Sequence, residues 1–156
     1  MNINESVPGK VGIFNAMVAS GPVVVQKRDG VLKTLLVKHG EKPVAELKWK
    51  FPGGKLIKGM TLEANAVLEA KQEVGVTVTL HSAIKPMVLW NEVPETGTGT
   101  PEVIVLVHFL ATISEEPVGG SEILSMEWFP LDALPADASP NIGPVIAEYL
   151  RMNLGN

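Results

Sequence analysis

Residues 54–76, with the sequence GKLIKGMTLEANAVLEAKQEVGV, join a glycine-containing loop to an acidic stretch with helical spacing. Thr61 is a suitable N-cap and Gly75 a suitable left-handed C-cap, so the sequence predicts a helix between them. Glu69 and Glu73 are one turn apart in this helix, which places both carboxylates on the same side. Like charges at this spacing repel by roughly 0.2–0.5 kcal/mol, so helix stability alone does not explain the pair.

The predicted helix has one apolar and one polar side. The apolar stripe consists of Leu62, Ala66, Val67, Ala70 and Val74, and the polar face consists of Asn65, Glu69, Gln72 and Glu73. The stripe is expected to pack on a core. The polar face has two interpretations: an ordinary solvated surface, or one side of a site for a cation.

A hard divalent cation such as Mg²⁺ takes oxygen ligands, typically one or two carboxylates together with water and substrate phosphates. Gly54 precedes the helix and lets the backbone approach a ligand closely, because glycine has no side chain. A glycine loop followed by a carboxylate helix is therefore a coherent unit for metal-assisted attack on a phosphate.

The flanking sequence predicts several strands around this unit. Strands are predicted in residues 11–20 and 21–40, with a hairpin turn at Asp29-Gly30. Further strands are predicted in residues 76–90, broken between Ser82 and Pro86, in the nearly continuous apolar segment 102–113, and in residues 122–130. An amphipathic helix with Pro144 in its first turn follows. This order predicts an α+β fold, with a mixed β-sheet between helices as an α/β/α sandwich, in one domain over residues 1–156.

Composition excludes several kinds of site. The 156 residues contain no cysteine, which excludes disulfides, thiolate metal sites and cysteine nucleophiles, and which fits a reducing, cytoplasmic setting. The formal net charge of -4 argues against binding to nucleic acid polymers through the phosphate backbone. The longest apolar stretch, residues 103–113, is too short to span a membrane, and the N-terminus does not have the pattern of a signal peptide.

Residues 54–76 resemble the Nudix box, in which glycine, five residues, glutamate, seven residues and Arg-Glu-aliphatic-x-Glu-Glu-x-Gly-aliphatic follow one another. The matching positions are Gly54, Glu69, Ala70, Glu73, Gly75 and Val76. The segments WKFPGGK and MEWFPLDALP are also similar to segments of the Nudix family, in the same order along the chain. The resemblance implies the α/β/α fold above and divalent-metal-dependent hydrolysis of pyrophosphate bonds.

Three positions depart from the box: Met60 replaces its first glutamate, Leu68 its arginine, and Gln72 the first of its adjacent glutamates. In the family, the first glutamate and the arginine are thought to brace the loop against the helix as an ion pair. Because both charges are replaced together by apolar side chains, we expect Met60 to contact Leu68 and keep the brace without charge. Gln72 retains an amide oxygen but contributes no negative charge, so weaker cation binding is expected.

The resemblance also suggests roles for single residues. Glu69, Glu73 and Gln72 are the expected ligands of Mg²⁺ or Mn²⁺, and Gly54 and Lys55 the expected phosphate contacts. Glu122, after Gly119-Gly120, is the best positional match to the loop glutamate that activates water, and Glu102, Glu115 and Glu116 are alternatives. Trp90 is the first candidate to stack on a nucleobase. His108 is expected to be a core or pocket-wall residue. The segment NIGPVI from residue 141 is similar to an Asn-x-Pro segment that reads the base in oxidised-guanine nucleotide hydrolases, with a spacing that differs by one residue.

Two functions remain open at this point. The first is a metal-dependent hydrolase that cleaves a pyrophosphate bond in a nucleoside diphosphate linked to another moiety, with Glu73, Glu69 and Glu122 as catalytic residues. The second is a Nudix-fold nucleotide-binding or regulatory protein with little or no turnover, which the three departures favour. Both imply a small phosphorylated ligand and no membrane partner, and both are compatible with a homodimer.

Overall fold

The computed structural model describes residues 15–40, 43–93 and 101–152. Its strands are β1 (Ala16–Arg28), β2 (Val31–His39), β3 (Gly54–Lys55), β4 (Thr79–Leu80), β5 (Met87–Glu92), β6 (Val103–Thr112) and β7 (Ile123–Pro130). Its α-helices are α1 (Leu62–Val74) and α2 (Ile142–Met152), and a short 3₁₀ turn spans Val44–Glu46. Neither α-helix in these ranges has the length and apolarity that a membrane span requires.

The strands form one mixed seven-stranded sheet with the order β4-β6-β1-β2-β7. β1 runs parallel to β6, with Ala16 opposite Val103, and antiparallel to β2. The short β3 pairs with the first half of β1, on the edge that β2 leaves open, and β5 pairs with β6. The mixed sheet with two helices confirms the predicted α+β architecture.

Each face of the sheet packs against one helix, which gives the α/β/α layering. One core cluster includes Val23, Leu36 and Leu110 of the sheet with Ile142, Val145 and Ile146 of α2. Another includes Val24, Leu35 and Val37 with Ala70 and Val74 of α1. Neighbouring residues of β1 and β2 thus belong to opposite cores, as the alternation of side chains along a strand requires.

The helix α1 has the predicted boundaries, and the predicted capping residues Thr61 and Gly75 form them. The Thr61 hydroxyl accepts a hydrogen bond from the Ala64 backbone N–H at 3.0 Å. Gly75 adopts a left-handed conformation with φ of 73°, and its N–H donates to the carbonyl of Lys71. Capping at both ends fixes where the helix starts and stops, and therefore which way its side chains point.

The predicted polar face of α1 requires a correction. Glu69 is partly exposed and Gln72 exposed, but Asn65 and Glu73 are buried, although both are polar. Burial of such groups is tolerated when their hydrogen bonds are satisfied by protein partners, and both side chains have such partners. This side of the helix is therefore a polar contact with the rest of the protein.

The predicted boundaries of two other segments also differ. Residues 16–28 form one continuous strand, where the sequence predicted a division after Ser20, and residues 11–14 of the first predicted strand lie outside the described residues. The predicted break between Ser82 and Pro86 is confirmed, since these residues separate β4 from β5. β5 continues through Asn91 and Glu92, two residues beyond the predicted end at residue 90, and residues 94–100 lie outside the described residues.

Candidate functional site

An open cleft of about 740 Å³ brings most of the predicted site residues together. Gly54, Lys55, Glu69, Glu73 and Glu122 all line it. Its wall is completed by residues of β1 and β6, among them Met17, Ala19, Ile104, Leu106 and His108. The cleft thus joins the glycine loop, the acidic side of α1 and the loop before β7.

Asn65 holds the glycine loop against α1. It is fully buried, and its amide Nδ2 donates to the Ser20 hydroxyl at 3.0 Å and to the Gly54 carbonyl at 3.1 Å. Its Oδ1 accepts the backbone N–H of Ile57 at 3.1 Å, and the Ser20 hydroxyl in turn donates to the Leu62 carbonyl at 2.8 Å. Asn65 therefore ties β1, β3 and the loop to the helix, which is the task that the resemblance assigns to an ion pair in the family.

The predicted contact between Met60 and Leu68 stays a prediction. Both side chains are partly buried, near the start and in the middle of the helical segment. Whatever their separation, the hydrogen bonds of Asn65 already provide a brace without charge.

Glu69 lies directly against Gly54. A Cβ atom at Gly54 would come within 2.5 Å of the Glu69 Cδ atom, so only glycine leaves room for this carboxylate. Burial raises the pKa of the Glu69 carboxyl, and the negative charges of Glu73 and Glu122 raise it further, whereas His39 lowers it. Glu69 therefore interacts electrostatically with two other carboxylates, which favours a cation close to it.

Glu73 is held by partners on both oxygens. Its Oε1 accepts the Gly53 backbone N–H at 2.7 Å, and its Oε2 forms an ion pair with Nε2 of His39. The side chain of Glu73 is only 6% exposed. His39 was not predicted from the sequence, where it shows no ligand spacing with another histidine. It lies at the end of β2, two residues after Val37, whose side chain packs against α1, and it lines the cleft.

Glu122 reaches the cleft because its loop is fixed to the end of α1. The Gly120 N–H donates to the carbonyl of Glu73 at 2.8 Å, and the Val118 N–H donates to that of Val74 at 2.8 Å. A Cβ atom at Gly120 would lie 2.5 Å from the Gln72 carbonyl oxygen. Gly120 therefore makes a close backbone contact with the end of α1, which a larger residue would disturb.

The structure does not bring the other candidate acids to the cleft. Glu102 accepts the Asn15 backbone N–H at 2.8 Å, and Glu116 pairs with Arg28 at 2.8 Å. Glu115 is exposed, and none of the three lines the cleft. Glu122 is thus the only one of the four candidates at this place.

Gln72 and Trp90 also lie apart from the cleft lining. Gln72 is exposed on α1, one residue before the buried Glu73, and a helical step of about 100° turns its side chain away. Trp90 is 61% exposed in β5, where its neighbour Asn91 lines the cleft. Successive residues of a strand point to opposite faces, so Trp90 projects from the face opposite to the cleft.

Several further residues line the cleft without having been singled out in the sequence. Lys48 and Lys50 flank the buried Trp49, and with Lys55 they bring three ammonium groups to the cleft, alongside the acidic Glu46. The only sequence signal for the first two is their alternation with a tryptophan, which is common in any half-buried segment. The combination of lysines with carboxylates suits a ligand that carries phosphates and a cation.

His108 and Asn141 form a fixed pair in the cleft wall. His108 is 4% exposed, and its Nδ1–H donates to the Met87 carbonyl at 2.9 Å. Its Nε2 then has to accept, and it accepts from the Asn141 amide Nδ2 at 2.9 Å. Burial lowers the pKa of His108 against the opposing effect of the Met87 hydrogen bond, which favours the neutral ring. The prediction of a core or pocket-wall histidine is confirmed.

The oxygen atoms in the cleft are of the kind that binds divalent cations, but they are too few to complete the coordination of one. Glu69, Glu73 and Glu122 line the cleft with carboxylate side chains, and the Glu69 carboxylate lies against Gly54. However, no three His, Asp or Glu side chains within the described ranges are close enough to form a metal site by themselves. The residues therefore fit a cation whose remaining ligands are water and phosphate oxygens of a bound ligand.

Comparison with known proteins gives the same fold. The model of the NUDIX domain matches residues 17–149. A C. elegans Ap4A hydrolase binary complex is 21% identical, with a TM-score of 0.73, and the match covers 90% of this chain and 99% of that one. A MutT NUDIX hydrolase from Burkholderia pseudomallei is 25% identical, with a TM-score of 0.63 and coverage of 85% and 96%. A NUDIX hydrolase from Nitrosomonas europaea is 18% identical, with a TM-score of 0.69 and coverage of 88% and 90%.

No curated protein sequence matches the chain. The NUDIX model nevertheless covers most of the 156 residues, including the glycine loop, α1 and the strands that form the cleft. Enzymes of this family generally use divalent metals. The matched domain and the similar structures together show that this chain belongs to the Nudix family.

Proposed function

We propose that the protein is a divalent-metal-dependent hydrolase that cleaves a pyrophosphate bond in a nucleoside diphosphate linked to another moiety. The observation that carries the proposal is the convergence of Glu69, Glu73 and Glu122 with Lys55 in one cleft beside Gly54. The neighbouring carboxylates raise the pKa of Glu69, so a cation beside it would be favourable, and ammonium groups gain from phosphate. Pyrophosphate hydrolysis needs both kinds of contact in one place.

Each residue has a role that follows from its position. Glu69 and Glu73 hold Mg²⁺ or Mn²⁺, and the cation, when bound, neutralises the charge that develops on the phosphate. Lys55, which follows Gly54 in β3, contacts the phosphate chain. Glu122 accepts a proton from the attacking water or orients it, because it is exposed to solvent at the cleft and interacts with Glu69.

The neighbouring structures support the substrate class. One of them is described as an Ap4A hydrolase and another as a MutT NUDIX hydrolase. A cleft of about 740 Å³ has room for a nucleotide-sized ligand. We therefore propose a small phosphorylated molecule as the substrate.

A binding or regulatory protein is the second candidate, and one observation favours it. Both oxygens of Glu73 are already engaged, by Gly53 and His39, and Gln72 supplies no charge at the cleft. Such a site would hold a nucleotide through the lysines while cleaving it slowly or not at all.

Phosphate release from a panel of nucleoside diphosphate derivatives and dinucleotides, with and without Mg²⁺ or Mn²⁺, separates the two functions. A hydrolase shows turnover that requires the cation and is lost in Glu73→Gln. Glu63→Gln is the matched control, because Glu63 is exposed in the first turn of the same helix and does not line the cleft. Saturable nucleotide binding without turnover at any cation concentration would reject the hydrolase in favour of the binding protein.

A further inference from the structure

The proposed hydrolysis assigns no role to the ion pair between His39 and Glu73. It joins the end of β2 to α1 and lies beside the glycine loop. His39 also acts on Glu69, whose pKa it lowers. A cationic or hydrogen-bonding ring therefore stands among the carboxylates that are proposed to hold the metal.

We propose that His39 and a divalent cation compete for the carboxylate of Glu73. His39 is then a positioning residue: it keeps Glu73 in place while the site is free of metal, and it has to leave Glu73 when the metal binds. The competition rests on the proposed function, since it assigns Glu73 to the cation.

The competition follows from the geometry of the carboxylate. Cations and hydrogen-bond donors both use the lone pairs of a carboxylate, and each oxygen of Glu73 already gives one of its two lone pairs to a donor. Oε1 of Glu73 is held by the Gly53 N–H at 2.7 Å, and Oε2 by His39. Because Glu73 is buried, its carboxylate cannot turn outward to a cation while it keeps both partners.

The position of Gln72 strengthens the effect of His39. Gln72 is neutral and does not line the cleft, so it gives the cation no extra attraction with which to displace the ring. With Gln72 neutral, Glu69 is the one carboxylate of α1 besides Glu73 that lines the cleft. The free protein is therefore expected to bind divalent cations weakly.

A diphosphate offers His39 another acceptor. His39 lines the same cleft as Lys48, Lys50 and Lys55, so phosphate oxygens bound there lie on the side to which the ring can turn. When the ring donates to phosphate, Glu73 becomes available to the cation. Metal and diphosphate then tighten each other's binding by the same factor, as linkage requires.

Mn²⁺ binding tests this coupling without any turnover. The free Mn²⁺ signal in electron paramagnetic resonance is titrated with the wild-type protein, His39→Ala and His39→Gln, each with and without methylenediphosphonate. A parallel titration without protein corrects for association of Mn²⁺ with the diphosphonate. His81→Ala is the matched control, because His81 is exposed and does not line the cleft.

We expect His39→Ala to bind Mn²⁺ about 5-fold or more tightly than the wild type when diphosphonate is absent, in the usual range of coupling between sites. Diphosphonate tightens Mn²⁺ binding to the wild type and has a much smaller effect on His39→Ala. His39→Gln can still donate to Glu73, so its Mn²⁺ affinity is expected to lie between those of the wild type and His39→Ala. The Mn²⁺ affinity of His81→Ala should equal that of the wild type. Circular dichroism establishes that each variant is folded, and His39→Gln decides the test if His39→Ala does not fold.

Equal or weaker Mn²⁺ binding in the His39 variants overturns the competition, and so does a lack of Mn²⁺ binding in every protein. Turnover on the nucleotide panel is scored separately. Tighter Mn²⁺ binding in His39→Ala without turnover on any substrate rejects the hydrolase and leaves the competition standing. Metal-dependent turnover with unchanged Mn²⁺ affinity in His39→Ala rejects the competition and leaves the hydrolase standing.

Discussion

Replacement of Asn65 by alanine tests how the glycine loop is held. The change removes the hydrogen bonds of its amide to Ser20 and Gly54 and that of its Oδ1 with Ile57, all at 3.0–3.1 Å. A hydrogen bond contributes about 1 kcal/mol net, so the free energy of unfolding is expected to fall by roughly 3 kcal/mol. Ser20 and Asn65 are buried, so water replaces these bonds poorly.

Urea unfolding measures this loss directly. With a denaturant slope of about 2 kcal/mol per molar urea, the midpoint should fall by roughly 1.5 M. Asn91→Ala, at an exposed position of β5, is the control and should change the free energy of unfolding by less than about 0.5 kcal/mol. The double variant Ser20→Ala/Asn65→Ala should lose less than the sum of the single changes, because the two side chains share a bond.

A change at Asn65 within about 0.5 kcal/mol of the wild type would refute the reasoning, because it would mean that the loop keeps its place without the amide. Asn65→Asp sharpens the test. It keeps an acceptor for Ile57 but replaces both donors by a buried carboxylate oxygen that faces the Gly54 carbonyl, so it should be at least as destabilising as Asn65→Ala.

Three further predictions concern the cleft. Gly54→Ala should displace the Glu69 carboxylate, since the new Cβ atom would lie 2.5 Å from its Cδ atom, and weaker Mn²⁺ binding in a calorimetric titration is the expected result. Glu69→Gln should raise the free energy of unfolding at neutral pH but not near pH 4. Because the pKa of Glu69 is raised in the folded state, the wild type loses stability as pH rises above the pKa of the unfolded chain. Glutamine carries no charge and avoids this loss. Equal effects at both pH values in urea titrations would contradict this. The wild type should lose stability as pH falls below about 6.5, because the lowered folded pKa of His108 makes the unfolded state take up the proton first. His108→Gln should abolish this pH-dependent loss of stability. Unchanged pH dependence of the thermal midpoint would count against it.

Local sequence signals account for α1 and for much of the cleft. Thr61 and Gly75 define the helix ends through contacts within a few residues, so they could be read from the chain alone. The sequence also predicted that Gly54 and Glu69 belong to one site, because the helix that carries Glu69 starts shortly after Gly54. The loop residue Glu122 was found through the resemblance, and its electrostatic effect on Glu69 agrees with that position.

The remaining parts of the cleft depend on partners far away in sequence. Asn65 is buried because Ser20, 45 residues away, accepts its amide, and Glu73 is buried with His39, 34 residues away. A polar residue at such a position looks like a solvated helix face until its partners are known. Trp90 shows the same limit for strands, because one residue of register decides which face of the sheet a side chain occupies.

The parallel pairing of β1 with β6 has a consequence for how the chain folds during synthesis. Ala16 pairs with Val103, so this contact forms only after the chain as far as Val103 has left the ribosome. Until then β1 has β2 and β3 on one side, while its other edge has no strand to bond. Long-range parallel pairing is slow, and an open edge invites association with other chains. The nascent protein is therefore most prone to aggregate in the interval before β6 emerges.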